Sequence, residues 1–302
     1  MNELYAADPV ACKNSSELKL LLASFGPYTG RYLASYPVNW SSIVEKNLGS
    51  VGDIELTRIK TLLRRATENL ALVPRILSWR AEEDWLSNAM SLLLKTQSLP
   101  AVFDGLIATF SEPPTIHLLQ DLDLPPTADE SVDGVANEYA RTSKILLLMS
   151  SELALIDPYL NPLKQSCDSV LKAIFEVAAK GRNRKISLWV RASEIFSSGS
   201  TAAIKIDLDR ALHRFARDAK FKAGREIEMF LVDDSREINL HDRFLLSIKG
   251  AIQFGQGFQK LPTGRRVGVA PVGRSRHQAL VSIHLDGKHD MRVVEHVTIR
   301  AS

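Results

Sequence analysis

Cysteine is nearly absent. Two residues in 302, Cys12 and Cys167, lie too far apart and are too few for a disulfide framework, and thiols this sparse read most simply as those of a reducing cytoplasm. Nor can two thiols build a structural zinc site unaided, and no CxxC or HxxxH spacing supplies the missing ligands. Long apolar runs are missing too. The longest, Ile145-Leu-Leu-Leu-Met149, is far short of the ~20 residues a membrane span needs. The first residues, MNELYAADPVACKNSSELK, carry acids and a proline where a secretion signal has a basic stretch and then an apolar one. Neither sign of charge dominates. With 38 basic and 35 acidic residues and a net charge of +3, contact with phosphates is permitted but not demanded. No Gly-x-x-x-x-Gly-Lys-Ser/Thr loop and no Gly-x-Ser-x-Gly elbow occurs, and Gly255-Gln-Gly257 lacks the third glycine and following helix of a dinucleotide fingerprint. The expectation is a cytoplasmic protein without metal or other cofactor.

What is present is apolar material for two modest cores, 45% of the chain. The first part reads as helical. Ser16 caps a run into Leu18, and Ile54 to Ala71 puts Ile54, Ile59, Leu62, Leu63, Ala66 and Leu70 on one face. Pro74 starts or kinks a further helix through Trp79 and Trp85 to about Leu94, with both tryptophans as buried anchors, and a short helix is expected from Pro100 to Thr109. The proline-rich polar stretches Ser111–Pro114 and Asp121–Glu130 read as a linker, which gives an all-α N-terminal domain over 1–128 and a second domain over 129–302.

Beyond the linker the pattern changes. A helix over Val135–Met149, a buried strand Leu153–Tyr159 ended by Asp-Pro, a helix over Leu163–Lys180 and a strand Lys185–Arg191 follow in turn. A helix over Ile206–Phe221, a strand Glu226–Val232 and two strands, Leu240–Ser247 and Ala251–Phe254, complete the run. Alternating strands and helices predict an α/β domain whose mixed, mainly parallel sheet lies between helices.

The sharpest chemical signal is Asn239-Leu-His-Asp-Arg-Phe-Leu-Leu-Ser-Ile-Lys-Gly-Ala-Ile-Gln-Phe-Gly-Gln-Gly-Phe258. A strand puts His241 and Arg243 on one face, where His241 can attack phosphorus while Arg243 holds phosphate oxygens. Gly255, Gln256 and Gly257 follow as a turn whose amides an anion can approach. The bland alternative is a strand-end histidine beside ordinary surface ion pairs. Downstream, Arg265, Arg266 and Arg274 interrupt a Gly/Pro-rich segment and suit a nucleic-acid backbone or lipid headgroups; the alternative is a solvated loop. Arg276-His277 is expected in that loop as well. Asp157, Tyr159 and Asp242 are expected to line the pocket, since open α/β sheets bind ligands beyond the carboxyl ends of their strands.

These residues resemble the phospholipase D superfamily, whose HxKxxxxD and Gly-Ser-x-Asn elements supply a covalent histidine and a phosphate clamp. The resemblance runs over about Asn137 to Val294. His241 falls at the histidine, Arg243 at the lysine and Gly255 at the first downstream glycine, while the Asp, Ser and Asn positions hold Ile248, Gln256 and Phe258. The His-Asp-Arg form in a single copy is similar to the phospholipase D-like C-terminal domain of microtubule-interacting-and-trafficking proteins, which binds phospholipid without hydrolysis. It is similar also to single-motif bacterial nucleases that pair two copies in a homodimer. The resemblance implies a protein that binds or cleaves a phosphodiester in nucleic acid, as part of a bacterial defence or other multi-protein system. It equally allows an inactive scaffold that reads anionic phospholipid or a protein partner. In the active case the enzyme is a metal-independent phosphodiesterase, with a homodimer or a partner recruited through the N-terminal domain.

Overall fold

Short buried strands, as well as amphipathic helices, organise the first third of the chain. The computed structural model describes residues 3–49, 52–74, 79–96, 101–103, 106–109, 115–118, 130–196, 201–233 and 242–301, and divides the chain into units Asn2–Ala128 and Asp129–Ser302. The first unit runs β1 (Glu3–Ala7), α1 (Ser15–Ala23), β2 (Arg31–Ser35), α2 (Trp40–Leu48), α3 (Asp53–Glu68), β3 (Leu72–Pro74) and α4 (Trp85–Thr96). Then come β4 (Ala101–Phe103), β5 (Leu106–Thr109) and β6 (Thr115–Leu118). The strands form one sheet in the order β3-β2-β1-β4-β5-β6, parallel from β3 to β4 and antiparallel beyond.

The expectation of an all-α N-terminal domain is therefore corrected. Its strands are three to five residues long, and those in a covered parallel sheet show no polar alternation to betray them. Pro74 ends edge strand β3, where a missing N–H costs no ladder bond, and the helix expected over Pro100–Thr109 is the β4–β5 pair. The proposed linker lies mostly outside the described residues, although Thr115–Leu118 between its two stretches forms β6 and Glu130 opens the next strand. The core of this unit gathers Leu18, Leu21, Leu33, Trp40 and Ile59, all fully buried. Trp40 donates from Nε1 to the Ala7 carbonyl at 2.7 Å. Trp85 is buried as expected and donates to the Tyr36 carbonyl at 2.8 Å, whereas Trp79 is 37% exposed.

The second unit comprises β7 (Glu130–Asp133), α5 (Ala136–Met149), β8 (Glu152–Ile156), α6 (Gln165–Ala179), β9 (Lys185–Arg191), α7 (Ala192–Ile195) and α8 (Thr201–Asp218). It continues with β10 (Glu226–Asp233), β11 (Phe244–Ser247), β12 (Gly250–Phe254), β13 (Arg266–Pro271), α9 (Arg274–His284) and β14 (Arg292–Arg300). The sheet order is β14-β10-β9-β8-β11-β12-β13-β7. Only β8–β9–β10 are parallel, joined by helical crossovers, and every other neighbouring pair is antiparallel. The α/β class stands, and the mainly parallel sheet is corrected to a mixed, mostly antiparallel one. The physical reason is the tight hairpin at Lys249, which reverses the chain, and the direct β12–β13 return, neither of which carries a crossover helix.

The order β10-β9-β8-β11-β12-β13 repeats, strand for strand, the order β3-β2-β1-β4-β5-β6. Strands β1 and β8, which correspond in the two orders, also leave the sheet through Asp-Pro with the same turn. Asp157 Oδ1 accepts from Tyr159 N–H at 2.9 Å, and Asp8 Oδ1 accepts from Val10 N–H at 3.0 Å. The two sheets differ where β1–β4 is parallel and β8–β11 antiparallel; α4 precedes β4 and returns the chain to the starting end.

Helix α9 packs on a face formed by Ile156, Trp189, Val232, Phe244 and Leu246 through Leu280, Val281 and Ile283. Trp189 stacks on Phe230 with ring centroids 4.3 Å apart, and Phe230 on His296 at 4.4 Å. His284 and His289 meet the Trp189 ring edgewise at 4.9 and 5.2 Å. Both thiols lie buried outside any disulfide, and burial pushes the Cys12 thiol up to about 12.

Candidate phosphate-binding site

Strand β8 ends because Pro158 has no N–H to continue the ladder, after Asp157 N–H has donated to the Trp189 carbonyl at 3.0 Å. The Asp157 side chain, 3% exposed, then ties two segments together. Besides its bond from Tyr159, it accepts at Oδ2 from Phe258 N–H at 2.8 Å. Burial raises the pKa of this carboxyl, opposed by the two N–H donors and by Arg243.

Arg243 stands just before β11, beside the exit of β8. Its Nη1 donates to the Gly255 carbonyl at 3.2 Å, its Nε lies 3.8 Å from Asp157 Oδ1, and its guanidinium carbon sits 5.2 Å from the centre of the Tyr159 ring. Arg191, the last residue of β9, brings a second guanidinium to the same ring, also at 5.2 Å. Tyr159 is 41% exposed, so both cation–π contacts open towards solvent. From the sequence Arg191 is only the end of the strand Lys185–Arg191. Its position at the carboxyl end of a central parallel strand was the available signal.

Of the sequence-predicted residues, Arg243, Asp157, Tyr159 and the 255–257 turn come together. Asp242 points to the other side of β11, where Arg276 binds its Oδ2 and Gln253 approaches its Oδ1 at 3.4 Å. His241 lies outside the described residues. The expectation that the turn offers its amides to an anion is corrected at two of three positions. Gly255 N–H donates to the Gly268 carbonyl at 2.9 Å and Gly257 N–H to Phe254 at 3.4 Å, which leaves only the Gln256 amide, on the exposed crest. Gly257 is needed for space instead. Its φ is +73°, and a Cβ there would come within 2.3 Å of Asp157 Oδ2 and 3.1 Å of Arg243 Cδ.

The downstream arginines are elsewhere. Arg265 and Arg266 lie on the β13 rim, beyond β11 and β12, with Arg266 donating to the Ser131 carbonyl. Arg274 opens α9 beyond the far end of β13, near the β11–β12 hairpin, and the segment expected as a loop there is helical. His277 is buried in that helix with Nε2 2.7 Å from the Ser247 carbonyl. Phe258 is fully buried, and its ring sits 5.1 Å from Phe254 and 6.4 Å from Tyr139. Among the described residues no three His, Cys, Asp or Glu side chains form a group able to hold a metal ion, and no helix is long and apolar enough to cross a membrane.

No family model and no curated protein matches the chain. One solved structure, described as that of TrmBL2, an archaeal chromatin protein with a novel mode of DNA binding, is similar over 83% of this chain and 87% of that one. The identity is 10% and the TM-score 0.30, a level at which no shared fold is established.

Proposed function

We propose that the second unit is a phospholipase D-like module that binds a phosphodiester, with nucleic acid as the ligand class. One observation carries the reading. Arg191 and Arg243 bring two guanidinium groups to one exposed Tyr159 ring at the carboxyl ends of β8 and β9, the end of an open α/β sheet where ligands bind. Guanidinium groups bind phosphate oxygens through paired N–H donors, and an exposed aromatic ring offers a stacking surface for a base. The unpaired bases of a single strand suit such a ring better than a lipid headgroup does.

A binding role is favoured over turnover by the Phe258 observation. A buried aromatic stands where the family has an asparagine, and Ile248, at the family's aspartate, is 62% exposed on the hairpin turn. The second reading is hydrolysis through His241. Its imidazole nitrogen attacks phosphorus as the bond to the leaving oxygen breaks, a second group protonates that oxygen, and water then cleaves the phosphorus–nitrogen bond. In that reading a homodimer mate supplies the second group. The Ala251–Phe254 segment offers no apolar face for such a dimer. It is β12, inside the sheet, with Ala251, Ile252 and Phe254 buried.

Binding of a fluorescent single-stranded oligonucleotide tests the proposal. Arg243→Gln and Arg191→Gln should each weaken it about tenfold or more, and unchanged affinity in both variants refutes it. Cleavage in the presence of chelator that is abolished by His241→Ala would establish the hydrolytic reading, with mass photometry reporting whether the active species is a dimer.

A further inference from the structure

At the opposite end of the same sheet lies a second concentration of positive charge. The last turn of α8 and the end of β14 enclose a cavity of about 260 Å³ lined by Arg217, Lys220, Arg300, His213 and Phe221. Arg300 is paired in register with Glu226, the first residue of β10, so the cavity sits a strand length of eight residues from the carboxyl end of β10, or ~26 Å. None of its described lining residues is acidic. Its volume leaves room for a phosphate group and its first substituent.

Three of the basic groups already meet acids at the rim. Arg217 Nη2 is 3.2 Å from Asp218, Arg300 Nε 3.9 Å from Glu226 and His213 Nδ1 3.3 Å from Asp209. All three basic side chains are more than half exposed, so water screens these pairs and leaves the cations able to meet a ligand. The Lys220 ammonium has no hydrogen bond or ion pair among the described residues. Lys220 is unusual in a second way. It closes α8 at φ +58°, with its N–H donating to the Arg217 carbonyl at 3.0 Å and Phe221 N–H to Ala216 at 2.9 Å. A left-handed helix closure of this kind normally holds glycine, because a side chain is strained there. Leu70 follows α3 at the same φ, so the strain belongs to the closure, and what distinguishes Lys220 is an ammonium without a partner among the described residues facing a cavity lined by arginines.

We propose that this cavity is a phosphate-binding site. Lys220 supplies the unneutralised charge, Arg217 and Arg300 the guanidinium donors, and Phe221 an apolar wall for the phosphate's substituent. It shares no residue with the Arg191–Arg243 site and stands whether or not that reading holds. Titration of the full chain with inorganic pyrophosphate, followed by calorimetry, tests it. Lys220→Gly is the informative variant, since glycine suits the backbone and leaves folding intact. The expected result is saturable binding that weakens tenfold or more in Lys220→Gly and in Arg300→Gln, with the Lys220→Gly melting temperature unchanged or raised, while Arg243→Gln retains a Lys220-dependent site. Wild-type affinity in Lys220→Gly, or no saturable binding to the wild type, overturns the proposal. A single-stranded oligonucleotide distinguishes the source of the phosphate. Loss of its affinity in Lys220→Gly assigns the site to the nucleic-acid backbone, and retention assigns it to a free phosphorylated compound.

Discussion

At the scale of single residues, Asp157 and Gly257 are the positions on which the candidate site depends. The Asp157 carboxylate is desolvated, yet it receives two N–H groups and lies beside Arg243. The glycine is the only residue that fits against it. Gly257→Ala places a methyl group on Asp157 Oδ2 and forces a left-handed backbone on an L-residue. The strain costs ~1–2 kcal/mol and the overpacking ~1–3 kcal/mol. The variant is therefore expected to lose about 3 kcal/mol in urea denaturation. Because the displaced carboxylate is the neighbour of Arg243, oligonucleotide affinity should fall with it. A variant as stable as the wild type would mean that the 255–257 turn is not held against β8. The sequence disclosed that these glycines mattered, but it suggested anion contact. That Gly257 makes room for a buried carboxylate 100 residues away depends on tertiary contacts, which no local pattern records.

At the scale of elements, those that formed long periodic segments were legible. Strand β9 was read as Lys185–Arg191 and has those limits, and α6, α5 and β10 lie within two residues of their sequence readings at each end. What escaped notice was short or irregular. Strand β7 has four residues, β14 interrupts its inward-facing Val293, Val297 and Ile299 with Glu295, and α9 begins in a Gly/Pro-rich stretch that looks like a loop. The tertiary surface that recruits α9 is the Trp189 face, and it carries a prediction. Burial, with a contribution from His289, depresses the His284 pKa to about 4, against ~6.5 for an unfolded histidine. Between those values the unfolded chain binds a proton that the folded chain does not, so stability falls as pH drops from ~6.5 towards 4 and levels off below. At ~1.4 kcal/mol per pH unit the loss is on the order of 3 kcal/mol. Urea midpoints at pH 7 and pH 4.5 should show it, and His284→Gln should flatten that part of the profile. An identical slope in the variant would assign the acid sensitivity to other groups.

At the scale of the whole molecule, charge is balanced, with 38 basic against 35 acidic residues. Long-range attraction of a polyanion is correspondingly small, and salt dependence reports local contacts. For a single strand each neutralised phosphate contributes a slope of ~0.7 in log affinity against log salt. If Arg191 and Arg243 each neutralise one, the slope is at least about −1.4, and Arg243→Gln should reduce its magnitude by ~0.7. An unchanged slope would remove Arg243 from the phosphate contacts. The same scale shows what sequence reading could not reach. The matching strand orders of the two units, with an Asp-Pro exit from β1 and from β8, appear only when the pairings are known, because residues outside that dipeptide share no visible pattern.

The pairing of β7 has a consequence in time. Asp133 lies in register with Arg266, 133 positions later. At a ribosomal rate of ~5–20 residues per second, β7 leaves the exit tunnel about 7–27 s before β13, its one sheet neighbour among the described residues. During that interval α5, α6 and the parallel strands β8 to β10 are complete enough to collapse around one another, while the first strand of the unit stays hydrated and unmatched. The second unit is thus expected to assemble from its parallel centre outwards, and pulsed hydrogen exchange should show β7 gaining protection after β8 to β10.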